Sequence, residues 1–236
     1  MTPSQDPNRR EFLQATAAGL ATTGLAGAAQ QAAPVNAGGV PLRPLGKTGE
    51  LVSIMALGGH ASTNPKKLSE DESLRLIRRA VDEGITFMDN CWDYHDGLAE
   101  ERMGKALAEG GRRDKVFLMT KVCGRTAKEA QANLEDSLRR LKTDRLDLWQ
   151  FHEMVYDNDP DWIFAPDGAI HTGIKALREG KVRYLGFTGH KDPLIHLKML
   201  DKPFDWAAVQ MPLNVLDVHY RILDRNLVVL VMIVVF

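Results

Sequence analysis

Apolar positions along this chain follow two alternating periods from about residue 40 onward. Residues 40–45 and 51–54 are short apolar stretches that flank Gly46-Lys47-Thr48-Gly49, a spacing that predicts a β-hairpin. The run 54–57 ends at Gly58-Gly59 and is expected to be the first strand of a larger sheet. Leu74, Ile77 and Val81 then fall at helical spacing behind Ser69, a suitable N-cap, and predict a helix over 70–83. The alternation repeats, with strands expected at 86–91, 116–122, 146–153, 183–187 and 207–211. Helices are expected near 99–108, 127–141, 170–179 and 194–200. In 127–141 the residues Ala130, Leu134, Leu138 and Leu141 share one face. The apolar run 227–236 reads as a seventh strand.

Repeated βα units of this length imply an α/β fold with a parallel sheet and right-handed crossovers. No Gly-x-Gly-x-x-Gly follows the first strand, so a (β/α)8 TIM barrel is preferred to an open doubly wound sheet. Such a barrel takes about 250 residues and binds phosphate with loops after its seventh and eighth strands. The chain of 236 residues leaves about 200 after position 37, enough for six or seven of eight strands. The expectation is therefore an incomplete barrel over 38–236 that lacks its C-terminal part.

A hydrophobic content of 44% supports one buried core, and a net charge of -1 gives no argument for nucleic acid as a partner. No apolar run reaches the roughly 20 residues of a membrane span. The first residues read differently. Asn8-Arg9-Arg10-Glu11-Phe12-Leu13-Gln14 resembles the twin-arginine export consensus. An Ala/Gly/Thr/Leu-rich segment comes next at 15–29, with small-residue cleavage sites at Ala26-Gly27-Ala28 and Val35-Asn36-Ala37. Residues 1–37 are expected to be a signal and linker read by the twin-arginine export machinery, which delivers the protein to the periplasm.

Four polar residues stand where a parallel barrel places chemistry. Asp89, Lys121 and His152 each close an apolar run, and Tyr94 lies five residues past Asp89. Around them, Gly84-Ile85-Thr86-Phe87-Met88-Asp89, Tyr94, Glu100-Glu101 and Met103-Gly104-Lys105-Ala106-Leu107 occur in order. Thr120-Lys121, Asp147-Leu148 with His152, Gly180-Lys181-Val182-Arg183 before Gly186, and Val209-Gln210 come later in the chain, and Arg43-Pro44-Leu45-Gly46-Lys47-Thr48-Gly49 precedes. This ordered set, over roughly 40–220, resembles the aldo-keto reductases.

The resemblance implies a small-molecule carbonyl substrate reduced by NADPH, with NADH as the alternative donor. It makes Tyr94 the general acid. A free phenol has a pKa of about 10, so a neighbouring cation is needed, and Lys121 is the expected one. Asp89 would hold that ammonium and His152 would orient and polarise the carbonyl. The resemblance also implies cofactor contacts from Thr188, His190 and Gln210, although Thr188-Gly189-His190 stands where the family usually has Ser-Asn. Glu153 adds a second ionisable group beside His152, and a solvated strand-end carboxylate is the plainer reading of it.

Other readings stay open. An inactive fragment of such an enzyme is one, and a Schiff-base lyase using Lys121 is another. The histidines have no zinc-site spacing, and no metal is expected. Trp92 and Trp162 either line a substrate pocket or cover the rim of the core. Cys91 and Cys123 each lie two residues past a site residue, Asp89 and Lys121 respectively, so a disulfide between them is conceivable on adjacent strands.

Overall fold

The computed structural model describes residues 34–46 and 48–212. Residues 1–33 of the expected export signal and linker at 1–37, and the expected strand at 227–236, lie outside the described residues. Strands β1 (Leu42–Pro44) and β2 (Leu51–Ser53) pair antiparallel as a hairpin. Six further strands come after it: β3 (Ala56–Gly58), β4 (Phe87–Asp89), β5 (Phe117–Val122), β6 (Leu146–Phe151), β7 (Val182–Thr188) and β8 (Ala208–Gln210). They form one parallel sheet in chain order, each paired with the next. Sequential parallel pairing with helical crossovers is the connectivity of a (β/α)8 barrel.

The crossovers carry α1 (Gly59–Ser62), α2 (Glu70–Asp82), α3 (Leu98–Leu107), α4 (Ala127–Leu141), α5 (Asp159–Ile163), α6 (Ile170–Arg178) and α7 (Pro193–Leu200). Two long helices begin with capping boxes, in which Ser69 pairs with Glu72 and Thr126 with Glu129. The short helices α1 and α5 have no counterpart in the apolar pattern, because four or five residues cannot display a 3.6-residue period. Strand β4 ends at Asp89, short of the expected run 86–91, although the Asn90 and Trp92 N–H groups still donate to the Met119 and Lys121 carbonyls of β5 before the chain turns at 92–97. Residues 34–37 are tied to the fold at two points: Val35 bridges to Pro41, and Asn36 donates to the Gly84 carbonyl.

Side-chain parity sorts the sheet residues into two clusters. Met88, Leu118, Trp149, Leu185, Phe187 and Val209 belong to the larger one, packed with helix residues such as Ile77, Leu134 and Ala176. Phe87, Phe117, Met119, Leu148 and Ala208 point the other way and pack with Leu45 and Val52 of the hairpin region. Asp89, Lys121, Gln150, His152, Thr188 and Gln210 continue this second, interior parity toward the carboxyl ends of the strands. A side-chain hydrogen bond of 2.8 Å from Gln210 on β8 to Asp89 on β4 crosses the interior, so the sheet is curled.

Helices α3 and α4 approach closely at Gly104, where a Cβ would lie 2.2 Å from the Arg140 carbonyl oxygen. Gly104→Ala must therefore separate the two backbones. The expected cost is about 1–3 kcal/mol of stability, read as a lower urea midpoint with an unchanged slope.

Candidate active site

The strand ends bring the polar residues together. Asp89 closes β4, Lys121 is the penultimate residue of β5, His152 is the first residue past β6, Thr188 closes β7 and Gln210 closes β8. Lys121 is in register with Gln150, and Thr188 with Gln210. A cavity of about 290 Å³ is lined by Tyr94, Lys121, His152, Thr188, His190 and Gln210, together with Gly189, Met211 and Pro212. Asp89 lies behind Lys121.

Lys121 is 2% exposed, and its three ammonium protons have three acceptors. They are an Asp89 carboxylate oxygen, the Asn90 carbonyl at 2.8 Å and Tyr94 Oη at 3.4 Å. Burial disfavours the charge on Lys121, but Asp89, Tyr94 and Cys91 outweigh it and hold the ammonium above the usual lysine range. For Tyr94 burial dominates and pushes the phenol up, with Lys121 acting against it. Tyr94 is therefore protonated at neutral pH. Its oxygen accepts from Lys121, and no acceptor claims its own proton among the described residues, so that proton is available to a molecule in the cavity.

His152 is held from behind. Its Nδ1 lies 2.9 Å from Thr188 Oγ1, which also accepts the Glu153 N–H at 3.0 Å. The assignment that satisfies every group sends the threonine proton to Nδ1 and leaves Nε2–H as a donor. Burial, reinforced by Lys121, lowers the His152 pKa to about 4, so the ring is neutral at pH 7. Glu153 adopts φ +52°, in the left-handed region, and Arg125 fixes that turn by donating to the carbonyls of His152 and Glu153 at 2.8 and 3.0 Å. Arg125 is in turn paired with buried Asp159 at 2.9 Å. The Glu153 side chain faces His190 at 3.2 Å on the exposed rim.

Gln210 donates to Asp89 and accepts from Gln150 Nε2 at 3.0 Å. Gln150, Asn90, Arg125 and Asp159 were not expected as site residues. Only interior parity signals Gln150, and the others act through backbone geometry or distant partners that spacing does not reveal. Trp92 is a structural residue: its indole donates to Asp136 at 3.3 Å and Arg140 stacks on it. Trp162, 48% exposed, lines a separate cavity of about 500 Å³ with Cys123, Arg125 and Thr126. Cys91 and Cys123 are free thiols with sulfurs 4.0 Å apart.

Fold and site define a β/α-barrel protein with an acid–base cluster at the carboxyl ends of its strands. The Aldo/keto reductase family model matches residues 54–228. The chain belongs to the aldo/keto reductase family. Aldo-keto reductase YhdN of Bacillus subtilis is 31% identical over 168 residues, covering 67% of this chain and 46% of that protein. Aldo-keto reductase yakc [NADP(+)] of Schizosaccharomyces pombe is 29% identical over 162 residues, covering 63% and 45%. The solved structure of aldo-keto reductase AKR11C1 from Bacillus halodurans, holo form, aligns with a TM-score of 0.63 at 28% identity, over 74% of this chain and 58% of that one. The chain spans about half the length of the curated relatives it matches.

The depressed pKa of His152 makes stability depend on pH. The unfolded chain takes up a proton near 6.5, while native His152 resists protonation until about 4. The unfolded state thus binds more protons in this window, and stability falls as pH drops through it. His152→Asn should remove this contribution, about 3 kcal/mol between those pH values. Chemical denaturation of both proteins across the window measures it; parallel pH curves would show that His152 does not titrate this way.

Proposed function

We propose that this protein reduces an aldehyde or ketone, taking hydride from NADPH and a proton from Tyr94. The observation that carries the reading is the uncommitted Tyr94 proton, beside a charged Lys121 and a neutral His152 that line the same cavity. The substrate oxygen sits between Tyr94 Oη and His152 Nε2–H, which fixes its orientation. As the carbonyl carbon gains hydride, the C=O π bond breaks and negative charge builds on oxygen. Tyr94 transfers its proton there, and the phenolate left behind is held by Lys121. Asp89 balances the ammonium throughout.

Reduced nicotinamide, when bound, supplies the hydride. The cavity suits its carboxamide end. One Gln210 N–H is engaged by Asp89 while the second has no acceptor among the described residues, and His190 stands at the rim. Thr188 fits less well, because its hydroxyl is engaged by His152 and Glu153. The choice of NADPH over NADH rests on the relative from Schizosaccharomyces pombe, whose name carries NADP(+). A Schiff-base lyase is disfavoured, since such a lysine needs a depressed pKa and Lys121 is held in the opposite direction.

The test is to titrate the 236-residue chain with NADPH by nicotinamide fluorescence and to assay a panel of carbonyl compounds. Tyr94→Phe should keep cofactor affinity and lose about 10²–10⁴-fold in turnover. Turnover that survives in Tyr94→Phe would overturn the assignment. Failure to bind NADPH would instead favour the inactive-fragment reading, and borohydride trapping of substrate on Lys121 the lyase.

We also propose that Arg9 and Arg10 direct export to the periplasm through the twin-arginine machinery, on the motif at 8–14 and the uncharged segment behind it. Replacing both arginines with lysine should hold the precursor in the cytoplasm. An unchanged periplasmic yield would refute the assignment.

A further inference from the structure

Beside the acid–base cluster lies a group the reduction does not use. The Cys91 and Cys123 sulfurs and an Asp93 carboxylate oxygen all lie within 4.8 Å of one another. Cys91 is buried, Cys123 is half-buried and Asp93 is exposed, so the group opens to solvent on one side. The loop after β4 supplies Cys91 and Asp93, and the residue just past β5 supplies Cys123. The Cys123 N–H is anchored on Asn133 at 3.1 Å, and the Cys91 N–H on Asn90 at 2.9 Å.

The spacing of the sulfurs is informative. At 4.0 Å they are about twice as far apart as the roughly 2.04 Å of a disulfide. Two thiolates bound to zinc at about 2.3 Å each and separated by this distance subtend about 120° at the metal, near the tetrahedral angle. The donor set is soft, with two sulfurs and one carboxylate, and suits zinc or cadmium rather than magnesium or calcium. Its negative charge when deprotonated complements a dication, and the neighbouring Lys121 charge is already matched by Asp89.

We propose that Cys91, Asp93 and Cys123 bind one soft divalent cation, zinc or its analogue cadmium, with the fourth position left open to solvent. The site is independent of the reductase reading, because it needs neither nicotinamide nor turnover. Strand positions in the sequence already suggest that the two cysteines, 32 positions apart, meet through pairing of β4 and β5, but they do not reveal Asp93 as a third member.

The test uses the full chain, metal-free and kept reduced with a phosphine, titrated with cadmium chloride. One ion per chain should bind, with the ultraviolet absorption of thiolate-to-cadmium charge transfer. Zinc should compete for the same site and raise the melting temperature. Cys91→Ser and Cys123→Ser should each abolish the band, with folding checked by far-ultraviolet circular dichroism. Asp93→Asn changes an exposed residue and so leaves the fold intact; it should weaken cadmium binding at least about tenfold, or about 1.4 kcal/mol. Absence of the band, binding that survives loss of either thiol, or wild-type affinity in Asp93→Asn would overturn the proposal.

Discussion

A buried ammonium is the constraint around which the carboxyl end of this sheet is organised. Lys121 loses nearly all contact with water, and an unpaired charge there would cost several kcal/mol. All three of its protons are met by one stretch of chain, residues 89–94. Asp89 arrives from the end of β4, the Asn90 carbonyl from the residue after it, and Tyr94 from the loop beyond. Asp89 needs compensation on its other oxygen, and Gln210 supplies it from β8. Compensating one cation therefore links the second strand of the parallel sheet to its sixth, and Gln150 extends the link to β6. The pair adds little net stability over an apolar substitute, but breaking one side of it leaves a charge stranded.

His152 is positioned by a second network that shares no residue with the first. Thr188 reaches it from β7, while Arg125 and Asp159 fix the turn on its other side. Asp159 also accepts the N–H groups of Val155 and Tyr156, so the loop after β6 is pinned at several points. The networks also differ in sign. One keeps a cation charged, and the other keeps an imidazole neutral despite that cation nearby. Two groups pushed in opposite directions in one cavity give a donor of each kind at neutral pH.

The parallel sheet, its strand order and most helices were legible because their signals are periodic and local. Asp89, Lys121 and His152 stand out in the sequence because each terminates an apolar run, and the structure brings all three to the carboxyl end of the sheet. What the sequence hid was the set of residues that hold these groups in place. Nothing in the spacing tells that the Thr188 hydroxyl is engaged by His152, or that one N–H of the Gln210 amide is spent on Asp89. Arg125 and Asp159 are separated by 34 positions and carry no motif at all. The close approach of Cys91 and Cys123 follows from the pairing of β4 with β5, whose backbone bonds continue through Asn90 and Trp92, and the strand positions made it predictable.

The opposite end of the sheet shows what distinguishes a reactive cluster from a structural one. There Tyr184 stands beside Arg183 and Glu50, the same trio of phenol, cation and carboxylate as Tyr94, Lys121 and Asp89. A cavity of about 430 Å³ adjoins it, lined by Glu50, Arg113, Asp147 and Arg183 among others. Yet the Tyr184 hydroxyl donates inward, to the Thr48 carbonyl at 3.1 Å or Glu50 at 3.2 Å. Arg183 pairs with Glu50 and Asp147, and Asp147 also accepts the Leu118 N–H and an ion pair from Arg113. The phenol proton in that cluster is already committed to the protein. At the carboxyl end the phenol oxygen accepts from Lys121, and no acceptor among the described residues takes its O–H. Composition and proximity are alike at the two ends; the presence of an acceptor facing the O–H commits the Tyr184 proton, and its absence among the described residues leaves Tyr94 with a proton to give.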